Sequence, residues 1–381
     1  MDITLERALA MARQSSPEAA GREARARLAS SRLEAASVRP FNPQISGSLG
    51  PRFGEAGTRL NGSVQIRQWF ELGGQRGDRQ DIARAGVESQ EARSARRMHL
   101  VERDVSLAFF RALYWEQRVE LFEESLRVAN AVLASARSRH ELGDAGGLES
   151  SLATIAAARA DTEMQSARVS SLRALGELKV LLGVRADVSL RVRGDLRALG
   201  VAPVEPRPSD GAERADLRAL RAEVRGARAE AELGRASRWP NFALGARYAR
   251  DEADDVVQGI FSIQLPFFDR GQGEVAIASA REEVAQRQLE SATMAASVEL
   301  DTSQRAARAL SRAARQFEAT GLPALARAEE LATGNYEAGA VPLAELLLIR
   351  RELLHARTTY LDQLFEAAAA QAELVAQRGA R

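Results

Sequence analysis

Three histidines, His99, His140 and His355, are the first residues to test for chemistry, and none has a second histidine at a ligand spacing. The chain has no cysteine, which removes thiolate metal sites, disulfides and thiol catalysis together. No Ser/His/Asp arrangement stands out. Two glycine-rich stretches, Gly73-Gly74-Gln75-Arg76-Gly77 and Gly271-Gln272-Gly273, look superficially like phosphate loops. They lack the Lys-Ser/Thr pair that reaches a nucleotide's phosphates and its magnesium, and a strand-to-helix turn explains their glycines. What is left is a pair of carboxylates. Glu149 and Glu345 each lie six residues past a glycine, Gly143 and Gly339, in the first turn of an expected helix. The helix dipole favours a carboxylate there by about 0.3–1 kcal/mol, which accounts for both without a functional role. The residues thus point to no enzyme, no cofactor and no resident metal.

Charge narrows the partners. The 53 Lys+Arg nearly balance the 52 Asp+Glu, and the arginines are interleaved with Glu and Ala. That is the pattern of solvated helix faces, not of the one-sided positive patch that binds nucleic acid. No apolar run approaches the ~20 residues of a membrane-spanning helix. Met1–Glu6 has neither a basic n-region nor an apolar h-region. At face value the chain is cytosolic; the alternative is a sequence whose leader has been trimmed.

The elements that must carry these residues are unusually long. Gln272–Tyr336 holds 17 alanines and only 13 large apolar residues in a helix-forming composition interrupted by Gly321, Pro323 and Gly334. As one helix it would run roughly 95 Å. So long a helix, so poor in Leu and Ile, does not fit inside a broad core. Its alanines suit close approach of neighbouring helices, as in the stave of a helical wall. A second stave is expected over Gln75–His140, with return helices over Leu148–Leu182 and from the second tip to about Gln377. Shorter helices are expected over 3–14, from Pro17 to about Val38, and over Glu213–Arg238.

Between helix and stave the pattern changes to period two. Leu60, Gly62, Val64 and Ile66 alternate with Asn61, Ser63, Gln65 and Arg67, which predicts a strand with one apolar and one wet face. Gln44–Gly50 is its partner, and Pro51–Arg59 reads as the turn. Asn241–Arg250 and Val256–Leu265 form the matching pair around Asp251–Asp255. The halves are copies: Pro43 to Pro240, Trp69-Phe70 to Pro266-Phe267 and Gly74 to Gly271 are all offset by 197, and Gly143 to Gly339 and Glu149 to Glu345 by 196. The chain therefore divides into a first helix–hairpin–stave–return repeat (1–182), a Pro-containing linker (183–212) and a second repeat (213–381). The fold class is mainly α with a small β part. Strands of nine or ten residues match tilted transmembrane strands, but four strands cannot close a barrel and lipid tolerates no open sheet edge. Several chains would have to share one barrel. Trp69, Phe70, Phe267 and Phe268, at the strand ends, suit a membrane-interface girdle or ordinary junction packing.

With ELGGQRG (Glu71–Gly77), LPFFDRGQGE (Leu265–Glu274) and NYEAGAVPLAELL (Asn335–Leu347) set on a duplicated unit, the chain resembles the TolC-like outer-membrane efflux proteins over nearly its whole length. The first motif is most similar to the heavy-metal-efflux branch. The resemblance implies a homotrimer in which three chains form a 12-stranded β-barrel on a 12-helix α-barrel. It implies the outer membrane of a Gram-negative bacterium, extending into the periplasm. It also implies a passive exit duct for a tripartite pump or a type I secretion system, with a periplasmic adaptor (membrane fusion protein) and an inner-membrane pump as partners. The tip residues Gly143, Asp144, Gly147, Gly339, Ala340 and Pro342 would meet the adaptor. Glu345, with Glu149 at the matching position, would form the constriction. Where the family often has a second carboxylate this chain has Leu348, so the acidic ring would be thinner; the lipid-bearing N-terminal cysteine of some branches is absent. The competing reading is a soluble helical scaffold or adaptor protein whose hairpins are small docking caps.

Overall fold

A computed structural model describes residues 1–54, 57–142, 146–202, 214–251 and 254–378. The elements run in the order β1 (Asp2–Ile3), α1 (Leu5–Ser15), α2 (Pro17–Ser37), β2 (Gln44–Gly54), β3 (Gly57–Phe70), α3 (Gln75–Glu141), α4 (Gly147–Leu182), β4 (Arg191–Val192), α5 (Leu196–Gly200), α6 (Ala215–Ala236), β5 (Asn241–Asp251), β6 (Asp254–Gln264), α7 (Gln272–Glu337) and α8 (Leu343–Arg378). Both staves are single helices, of 67 and 66 residues, and both returns have 36. Pro323 lies inside α7 without ending it.

The chain forms two compact units, and each sequence repeat contributes to both. One comprises Glu23–Ser94 and Ala215–Met294; the other comprises Met1–Arg22, Ala95–Arg214 and Ala295–Arg381. The first holds the sheet, ordered β2-β3-β5-β6 and antiparallel throughout. Its helices approach closely through small residues, as the alanine-rich composition predicts. A Cβ added at Gly226 of α6 would lie 3.4 Å from the Cβ of Ala85 on α3, and one at Gly234 would press on Val275 of α7 at 2.9 Å.

The second unit has a true core. Val105, Phe109, Phe110 and Leu113 of α3 pack with Leu178 and Leu182 of α4, Leu364 of α8 and Ile3. Full burial of each large side chain contributes about 1.5–3 kcal/mol. Leu190, Val192 and Leu196 join them, so residues expected only to link the halves form part of the core. Gly200 touches the α8 backbone: a Cβ there would meet the Leu364 carbonyl oxygen at 2.8 Å. Residues 203–213, the rest of that linker, lie outside the described residues.

Three boundaries differ from expectation. Ile3 is a strand residue paired with Val192, and α1 starts behind it with Thr4 as N-cap. Pro51, Arg52, Phe53, Thr58 and Arg59, expected in a turn, are strand residues, with Arg52 opposite Arg59 and Phe53 opposite Thr58. Pro51 lies on β2, an end strand of the four-stranded sheet, where proline is tolerated. At the second hairpin, Asp251 and Asp254 are likewise paired strand residues.

Candidate functional site

The sheet separates apolar from polar across all four strands. Paired across the ladders, Ile45, Ile66, Ala246 and Gly259 share a rung, Gly47, Val64, Tyr248 and Val257 the next, and Phe70, Phe242 and Ile263 another. All point to one face, because directly opposed residues of antiparallel strands do. The other face carries Gln44, Arg67, Gly245 and Ile260 on one rung and Ser46, Gln65, Arg247 and Gln258 on another. Hydrogen bonds knit that face together: Gln65 Nε2 donates to Ser46 Oγ at 2.7 Å, and the Ser48 and Ser63 hydroxyls are 2.9 Å apart. The apolar face is bare in the single chain, with Ile45 74%, Leu49 75%, Val64 57% and Phe261 64% exposed. Among the described residues no strand pairs with the outer edge of β2 or of β6.

The motifs that close the hairpins prove to be joints. Glu71 accepts two hydrogen bonds from Arg79, both 2.8 Å, tying the end of β3 to the first turn of α3. Gly74 (φ 81°) and Gly271 (φ 77°) adopt the left-handed conformation that disfavours side chains. A Cβ at Gly271 would also collide with the Gly234 carbonyl at 2.2 Å, and one at Gly73 with the Ala236 carbonyl at 2.6 Å. Both junctions are thus clamped to α6. The aromatics part company here. Phe70 lies on the apolar face, stacked on Phe242 with centroids 5.2 Å apart, and Phe267 and Phe268 are 67% and 97% exposed beyond β6. Trp69 sits opposite Ala243, on the polar face.

At the second tip, α7 ends in a Schellman motif: Gly339 (φ 73°) donates to the Tyr336 carbonyl and Ala340 to that of Asn335. The chain then turns at Pro342 into α8, whose Leu343 and Leu346 are buried against Ala136 of α3, Ala153 of α4 and Ala332 of α7. At the first tip, Gly146 caps α4 and Gly147 begins it. Gly143 and Asp144 lie outside the described residues. The two carboxylates are not equivalent. Glu345 is exposed, as is Leu348. Glu149 is half-buried, with Oε2 3.9 Å from Arg139 Nη2 and no hydrogen bond to that oxygen. Arg139 also donates to the Tyr336 hydroxyl at 3.3 Å, linking α3 to α7 just behind the tip. Neither residue stands out by type, but the 196-residue offset of the repeat at the tips superposes them, and that was the available signal.

Further from the tip a groove of 980 Å³ runs between helices and is lined by Arg118, Ile155, Arg159, Leu348, Arg350 and Glu352, among others. Burial holds the Arg350 guanidinium below its ordinary pKa, and Glu329 partly opposes that. Among the described residues no group of His, Cys, Asp and Glu could hold a metal ion.

Residues 8–184 and 211–380 match the model of the outer membrane efflux protein family. The chain belongs to that family. Outer-membrane efflux, as the channel of a tripartite pump, is its function, and this displaces the soluble-scaffold reading. The cobalt-zinc-cadmium resistance protein CzcC of Cupriavidus metallidurans is 28% identical over 79% of this chain and 73% of its own length. The Campylobacter jejuni CmeC outer membrane channel has the same fold, with a TM-score of 0.81 at 14% identity, covering 98% of this chain and 85% of that one. So does the Vibrio cholerae outer membrane protein VceC, with a TM-score of 0.78 at 19% identity, covering 98% and 96%.

Proposed function

We propose that three copies of this efflux protein close one barrel, β6 of each pairing with β2 of the next. The amphipathic sheet carries this reading: its apolar face is uncovered, and among the described residues neither of its edges has a partner. Twelve strands with the apolar face outward satisfy every backbone group in lipid and leave a polar lumen. Phe70, Phe267 and Phe268 then sit at the membrane interface, and Trp69 faces water inside. Staves of 67 and 66 residues, about 100 Å each, are long enough to carry the duct into the periplasm. Gly147, Gly339, Ala340 and Pro342, with Gly143 and Asp144, form the surface for a periplasmic adaptor that connects to an inner-membrane pump. Exposed Glu345, repeated about a threefold axis, lines the constriction; half-buried Glu149, beside Arg139, supports it. The cargo is a divalent metal ion, a reading supported by the metal-resistance relatives.

The deciding experiment is extraction and reconstitution. The protein should leave membranes only with detergent, run as a heat-resistant trimer and form conducting pores in planar bilayers. A detergent-free soluble monomer would sink the proposal. Cargo is read separately, by whether expression restores cobalt, zinc or cadmium tolerance to a strain lacking its own exit duct.

A further inference from the structure

The polar face of the sheet carries more than hydrophilic side chains. Its register places four arginines there: Arg67 beside Gln44, Arg247 beside Gln65, and Arg52 directly opposite Arg59. Asp254 is the one carboxylate among the described side chains of that face. Several arginines on the helices of the same unit are matched with carboxylates, as in Arg79–Glu71, Arg225–Glu88, Arg228–Glu282 and Arg281–Glu230. Three of the sheet arginines differ from these. Among the described residues Arg59, Arg67 and Arg247 pair with no carboxylate, and Arg247 instead donates to Ser63 Oγ at 3.3 Å. The Nε of Arg67 is buried with no acceptor.

On the barrel reading above, this face is the inner wall, and a threefold ring repeats the set three times. Charges of one sign on the wall of a narrow duct act together, and arginine rings are the usual lining of anion pores. We infer that the β part of the duct concentrates anions, with Arg59, Arg67 and Arg247 as its selectivity-setting residues and Arg52 reinforcing Arg59. Its ligands are small oxyanions, which hydrogen-bond to guanidinium groups in a fork geometry. A metal cation leaving through this segment travels with such anions as counter-ions or ligands.

The test uses the reconstituted protein and inorganic tripolyphosphate. Added to one compartment of a bilayer, tripolyphosphate should lower conductance, and raising KCl should relieve the block, since salt screens the attraction. The block should be lost in the Arg59→Gln/Arg67→Gln/Arg247→Gln variant and kept in single Arg247→Lys. Should the triple variant assemble poorly, Arg247→Gln alone should weaken the block. Broadening of the tripolyphosphate phosphorus resonances by detergent-solubilised protein reads the same site without conduction. A conducting wild type indifferent to tripolyphosphate from either side, or Gln variants blocked like wild type, overturns the inference and leaves the barrel standing. Protein that assembles no trimer and forms no pore overturns the barrel reading and this inference with it.

Discussion

At the scale of single residues, the most tightly held polar group lies in the core of the helical unit. Tyr114 donates to Asp362 Oδ1 at 2.5 Å, Arg118 donates to the Tyr114 oxygen, and the Arg118 guanidinium sits over the rings of Tyr114, Trp115 and Phe122. Burial, and then the bond to Asp362, push the Tyr114 phenol up to about 12. The folded state therefore holds the phenolic proton more tightly than the unfolded chain, whose tyrosines titrate near 10. The stability this supplies is complete below about pH 10 and lost as pH rises through about 12. Tyr114→Phe should cost about 1 kcal/mol at neutral pH, because half-exposed Asp362 then keeps Arg118 as its donor at 3.3 Å, and should remove this alkaline component. Thermal unfolding in detergent between pH 8 and 12 measures both. Glu345 is the opposite kind of residue, exposed and held in the fold only by the dipole of α8. Glu345→Gln should cost less than about 1 kcal/mol while weakening block of the pore by divalent cations, since a carboxylate ring holds them and an amide ring does not. Equal block of both proteins in bilayer recordings would remove Glu345 from the constriction.

At the scale of elements, the two faces of the sheet make the sharpest demand. Phe261 lies on the apolar face, opposite Leu244 and near Phe242. Phe261→Arg should cost about 2–4 kcal/mol if the residue sits near the bilayer midplane. It should lower the temperature at which trimers dissociate, whereas Gln65→Arg on the other face should not. Ala340 is exposed at the second tip. Ala340→Trp should abolish export with trimers intact, measured as metal tolerance beside the amount of heat-resistant oligomer. Much of this was legible in the residues. Alternation from Leu60 to Arg67 marked β3 and its two faces, and the composition of Gln272–Tyr336 marked α7 almost to the residue. The missed features depend on pairing. Arg52 and Arg59 are strand residues only because β2 and β3 stay paired beyond Pro51. Leu190 and Leu196 are core residues only because α3 and α8 pack over a segment with no periodicity of its own. Trp69 and Phe70 are neighbours in sequence, yet the pleat sends them to opposite faces. The inequality of Glu149 and Glu345 is set by Arg139, and nothing in the two matching positions announces it.

At the scale of the whole molecule, the sheet is unfinished: β2 and β6 are its ends, and each half of the chain supplies one of them. In the proposed ring the β6–β2 ladder depends on a neighbour, and that has a genetic consequence. Adjacent strand residues point their N–H groups to opposite sides, so one of Ile260 and Phe261 directs its N–H away from β5. Proline introduced there lets a subunit be joined through β2 but not through β6. One such subunit spoils any ring it enters. Ile260→Pro and Phe261→Pro, each co-expressed with the unaltered gene, should therefore include one dominant-negative allele, lowering metal tolerance further than the same dose of an untranslated copy. The damage should disappear when the altered gene also carries a deletion of β2, because that product can no longer be recruited.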